Sequence, residues 1–134
     1  MTATPLTDRY RQMDVSAMTP AGLVVALYAR LLLALRQARL AISTGDIEAR
    51  ERRVLQATDI LHELAASLDH VQGGEIAGRL AALYAWMIQE CLQVHRHPEV
   101  ARLDPVITSV TELHEAWVEV ARQVTHPDTL ERVG

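Results

Sequence analysis

The 134 residues suffice for one domain and fall short of two, and a chain of this size buries a core without needing disulfides or a structural metal. Apolar residues supply 49% of the composition, yet there is no Phe and the aromatics are only Tyr10, Tyr28, Tyr84, Trp86 and Trp117, so Leu, Ala, Val and Ile must build that core, and Leu and Ala favour helix. The net charge of −4 divides into +3 for residues 1–58 and −7 for residues 59–134; with no Lys and no basic stripe interleaved with aromatics, nucleic acid is an unfavoured partner.

Residues 1–18 read as an N-terminal arm, polar apart from residues such as Met13, Val15 and Met18. The arm holds no apolar stretch of signal-peptide length, and Cys91, the single cysteine, suits a reducing compartment, so the chain reads as cytoplasmic. Thr19-Pro20 predicts a helix start, with Thr19 as cap and Pro20 in the first turn. That helix runs to about Ser43 and is ended by Gly45. Its apolar run from Leu23 to Leu35 is broken by Arg30 and is shorter than the roughly 20 residues needed to span a bilayer. Asp46 caps a second helix, predicted to continue to about His70 before Gly73-Gly74 interrupts. A third begins near Glu75 and ends before Pro98. Pro98 to Leu103 predicts a short extra helix, and Asp104-Pro105 repeats the cap-and-proline signal for a last long helix to about Val124. Residues 125–134 read as a tail.

No period-two alternation competes with these helices. The expected fold is all-α: an antiparallel up-down four-helix bundle over residues 19–124, with the arm before it and the tail after.

The helices differ in how much apolar surface they carry. The last places Val106, Val110, Leu113, Trp117, Val120 and Val124 on one seam, opposite Glu112, Glu115 and Glu119, as an ordinary amphipathic helix does. The first is wider: Leu23, Val24, Val25, Leu27, Tyr28, Leu31, Leu32 and Leu35 sweep about 200° of its circumference, against a usual stripe of little more than about 100°. Either this helix is covered on both sides, or part of it is a groove awaiting another helix, from a partner or a second copy. In the third helix Ile76, Leu80, Leu83, Met87 and Cys91 share a face, while Trp86 projects beside polar neighbours, as large aromatics do at interfaces and also where they lie flat on a bundle. Candidate partner contacts are therefore Leu23, Val24, Leu27, Tyr28, Leu31 and Trp86, with Met13, Val15 and Met18 of the arm as a segment that covers the groove or staples the first helix.

Chemistry finds no foothold. His62-Glu63 and His114-Glu115 point about 100° apart on a helix and do not converge on a metal, and only Asp59 stands three residues before a helical His. Gly73-Gly74 lacks the spacing and Lys of a phosphate loop, no Ser sits in a nucleophile elbow, and Cys91 lies among apolar positions. The expectation is a non-enzyme with no cofactor and no metal.

The order of features resembles the FliS family of flagellar export chaperones. Thr19-Pro20-Ala21-Gly22-Leu23 leading to Leu27-Tyr28 resembles that family's first long helix, and Ala57-Thr58-Asp59-Ile60-Leu61 with Glu63-Leu64 and Ser67-Leu68-Asp69 its second. Gly73-Gly74-Glu75-Ile76-Ala77, followed by Leu80, Leu83-Tyr84, Trp86 and Met87, is the most specific match, and Leu113, Ala116 and Trp117 resemble its closing helix. The likeness spans about residues 10–124; Gln56 stands where a basic residue is usual, Trp86 where Tyr is common, and 94–100 departs from the family pattern. The resemblance implies a bundle that binds the C-terminal segment of flagellin in the cytosol, blocks premature polymerisation and delivers it to the flagellar export gate. The alternative is a helical interaction module with another client.

Overall fold

The structure is a computed structural model and describes residues 19–124; the arm residues Met13, Val15 and Met18 and the tail lie outside them. Four helices account for nearly all of that span: α1 Pro20–Thr44, α2 Ile47–Ala66, α3 His70–Gln93 and α4 Val100–Val124. Caps set most of the boundaries. Thr19 holds an extended backbone, and its hydroxyl accepts from the Gly22 N–H at 3.0 Å, with Pro20 in the first turn. Gly45 closes α1 at φ 72°, and the Asp46 N–H reaches back to the Ala41 carbonyl at 2.9 Å, the six-to-one bond of a Schellman turn. Asp46 at once caps α2 by accepting from Ala49. Two residues thus join two long helices.

Two expected boundaries differ. The second helix stops at Ala66, not near His70, because the Asp69 carboxylate accepts from the Val71 and Gln72 N–H groups and starts α3 there. Gly74, at φ 51° and ψ −123°, then breaks the backbone helix one turn later, so α3 is a short turn from His70 joined across a kink to a long helix from about Glu75, as the glycine pair predicts. The short extra helix before the last one is also absent: residues 100–103 are the first turn of α4, which continues through Pro105. Leu103, Val106 and Val110 keep one buried stripe across that proline, while Ala101, whose carbonyl loses its usual donor, lies exposed with Pro105, where water can serve it.

The bundle is antiparallel. α1 packs against α2 and α4, α3 against the same two more thinly, and α1 and α3 face each other diagonally. We call the end where α1 and α3 begin the base, and the end holding the Gly45-Asp46 turn the top. α1 is the one helix among the described residues long and apolar enough to cross a bilayer. Its apolar side is instead occupied within the bundle, where Leu27, Tyr28, Leu31 and Leu35 are buried against Val54, Ile60 and Leu61 of α2, Met87 and Cys91 of α3, and Leu103, Val106 and Val110 of α4. From Leu27 to Leu35 the wide arc of α1 is therefore that of a central helix covered from both sides, while Leu23, Val24 and Val25 at its start stay half-buried.

Candidate functional site

Two Leu-Tyr pairs singled out in the sequence, Leu27-Tyr28 and Leu83-Tyr84, stand 56 residues apart and are brought together across the bundle diagonal. The Tyr28 and Tyr84 hydroxyls hydrogen-bond to each other in the core, and the Trp117 indole N–H donates to Tyr28 from α4. Burial pushes the ionisation of both tyrosines above the ordinary phenol range, and their mutual bond adds to the shift of Tyr28 while easing that of Tyr84. The three aromatics fasten α1, α3 and α4 at one level, and below that level the core thins.

The thinning shows on α4. Val106 and Val110 are buried, whereas Leu113 and Trp117 only edge the core and Val120 is 42% exposed. The seam expected to be core along its whole length is core in its upper half alone; the side chain of Val124 lies beyond description. On the facing helix Leu80 and Leu83 are half-buried and Ile76 is 69% exposed. By the helical repeat, Ile76, Arg79, Leu83, Trp86 and Glu90 form one stripe of α3, and Arg102, Ser109, Leu113, Ala116 and Val120 one of α4. These stripes flank the α3–α4 seam, whose upper part is crossed by the Arg102–Glu90 ion pair at 3.1 Å. Below it Ile76, Leu83, Leu113 and Val120 leave apolar surface partly or largely exposed, with Glu112, Glu115 and Glu119 exposed on the outer side of α4.

The sequence-derived candidates separate against this geometry. Leu27, Tyr28 and Leu31 are core, fully covered, and offer no surface to a partner. Leu23 and Val24 are half-buried near the base. Trp86 is 38% exposed, but it lies towards the top of α3 beside the first turns of α4, far from Leu23 and Val24. Leu113 and Val120 belong to the seam expected to be core and are partly open instead; Ile76 and Leu83, expected only to share a face with Met87 and Cys91, are open as well. A signal existed, since Arg79 and Glu90 interrupt the Ile76–Leu83–Trp86 stripe, and charges there mark an edge open to water.

The remaining polar groups are structural. The His95 imidazole Nδ1 lies 2.7 Å from Glu51, tying the α3 exit to α2 and holding the Glu51 carboxyl below its ordinary range. His62 Nδ1–H donates to the Thr58 carbonyl. Among the described residues no three His, Cys, Asp or Glu side chains converge as metal ligands do.

The family described as flagellar protein FliS matches residues 2–124. Among similar proteins, the flagellar secretion chaperone FliS of Campylobacter jejuni is 34% identical over 118 residues, 88% of this chain and 92% of that one. Its counterpart in Vibrio cholerae is 31% identical over 121 residues, covering 90% and 88%. A crystal structure of a bacterial flagellar chaperone superposes with a TM-score of 0.73 at 18% identity, covering 87% of this chain and 94% of that one, a likeness of fold.

Proposed function

The chain belongs to the FliS family, and from that premise we propose that it is a non-enzymatic, cytoplasmic flagellar secretion chaperone. It binds the C-terminal segment of flagellin, keeps that segment from polymerising and hands it to the export gate. The observation that carries this reading is the apolar surface left open on the lower halves of α3 and α4. Ile76, Leu83, Leu113 and Val120 leave apolar surface open where a further helix would complete the bundle. A client that is disordered alone loses about 2–5 kcal/mol of interaction energy to ordering, so it needs a long apolar strip rather than one pocket. Leu23 and Val24 extend the apolar surface at the base. Met13, Val15 and Met18 compete with the client for it, so deleting residues 1–17 tightens client binding and makes the free protein less soluble.

Titration calorimetry of the full chain with the C-terminal segment of the same organism's flagellin tests the proposal. Saturable binding, a negative heat-capacity change and helix gained on mixing are expected. Leu113→Glu combined with Val120→Asp weakens binding by about tenfold or more with the helical spectrum retained. No heat of binding at about 100 μM client would remove flagellin as the client. Tyr28→Ala is no test of contact, because it opens the core.

A further inference from the structure

At the top of the α3–α4 seam, above the open apolar side chains, lies a cleft of about 280 Å³ walled by Trp86, Glu90, Glu99, Ala101, Arg102 and Pro105. It is smaller than the roughly 300–1,000 Å³ of sites that enclose small molecules and is of a size for one side chain. Its chemistry is lopsided. Two carboxylates face one guanidinium, and that guanidinium is committed to Glu90 Oε2 through Nη1. The Glu99 carboxylate has no hydrogen-bonding or ionic partner among the described residues, and neither has Glu90 Oε1. The buried Nε–H of Arg102 meets no acceptor. An indole 38% exposed forms the wall beside these groups.

We propose that this cleft is a docking point for an arginine side chain carried by a segment of a partner protein. A guanidinium is planar, stacks on an indole face and takes carboxylate oxygens with a rigid fork. Here it finds Trp86 to stack on and the free oxygens of Glu99 and Glu90 to bond, and its charge cancels the surplus of the cleft. The two carboxylates of the cleft outnumber its single guanidinium, and that surplus draws a cationic group to it. The cleft is complete in the free protein, so the proposal does not rest on flagellin being the client.

The two tryptophans give two indole N–H signals in a proton–nitrogen NMR spectrum of the full chain, one at the cleft and one at the Trp117 bond to Tyr28. The probe is the capped peptide Gly-Gly-Arg-Gly-Gly, with versions carrying citrulline or Glu in place of Arg as controls. The arginine peptide is expected to move the Trp86 signal saturably and leave Trp117 still, with the citrulline peptide about tenfold weaker. Glu99→Gln, an exposed change that leaves the fold intact, is expected to weaken binding about two- to fivefold, and added salt to weaken it further. Equal response to the citrulline or Glu peptide, or no saturable shift of Trp86 by about 10 mM peptide, would overturn the proposal.

Discussion

The Tyr28–Tyr84 bond puts two hydroxyls into a core otherwise made of Leu, Val, Ile, Ala and Met. Removing the Tyr28 hydroxyl strands both the Tyr84 hydroxyl and the Trp117 N–H, whereas removing that of Tyr84 leaves Tyr28 still bonded to Trp117. Tyr28→Phe should lower stability by about 1–3 kcal/mol, Tyr84→Phe should cost less, and the double change should cost no more than Tyr28→Phe alone, a non-additivity that urea denaturation of the three variants measures. The same pair sets an alkaline limit. Below the ordinary phenol value of 10.0 both tyrosines are protonated whether the chain is folded or not, and stability is untouched. Above it the unfolded chain sheds protons that the folded chain keeps, so the unfolded state binds fewer protons and stability falls with rising pH. Cys91, pushed up to about 12 by burial, adds the same sign from its ordinary value of 9.0. Denaturation midpoints followed from about pH 8 to 11 should hold and then drop, and the drop should be shallower in the Tyr28→Phe/Tyr84→Phe double variant. The sequence shows both tyrosines after a Leu, and the structure shows why their meeting was not legible: the residues lie on helices that do not pack side by side, and only the closed bundle aligns them.

Among the helices, the boundaries that were legible are those where a cap and its helix are neighbours in sequence. Thr19-Pro20, Gly45 and Asp46 act within four residues, and each does what its chemistry predicts. The misread boundaries turn on competition. Asp69 outbids the continuation of α2 and adds one helical turn ahead of the break at Gly74. At Pro105 the buried stripe of Leu103, Val106 and Val110 overrides a strong local stop. Opposite effects follow for two alanine substitutions. Gly74→Ala forces a side chain into positive φ and should destabilise by about 1–2 kcal/mol, whereas Pro105→Ala restores a helical N–H at an exposed site and should stabilise by about 1–2 kcal/mol. Thermal unfolding of the two variants separates them by sign.

At the scale of the whole molecule the bundle is uneven. α1 is gripped by two neighbours, while α3 and the lower half of α4 are held along thin seams. Amide hydrogen exchange should therefore be slowest in the middle of α1 and fastest, among the described residues, in the first turn of α3, where Val71 is 93% exposed, and beyond Trp117 in α4. A uniform pattern would contradict the picture of a firm upper core with an open lower flank. The candidate site was harder to read than the fold for the same reason. A helical pattern gives the face of a residue but not its height in the bundle, and height separates buried Val110 from exposed Val120.

The two-residue join at Gly45-Asp46 also bears on how the chain is made. It brings α1 and α2 together through contacts close in sequence, the kind that form fastest, and this pair shares an extensive interface. During synthesis the hairpin is complete as soon as residue 66 has cleared the ribosome, with α3 and α4 still in the exit tunnel or unmade. Its second flank, the side of α1 that α4 will cover, is then bare. The nascent chain thus carries an apolar helix face of its own before α4 emerges to close it, and the pace of translation through residues 67–110 sets how long that face stays open.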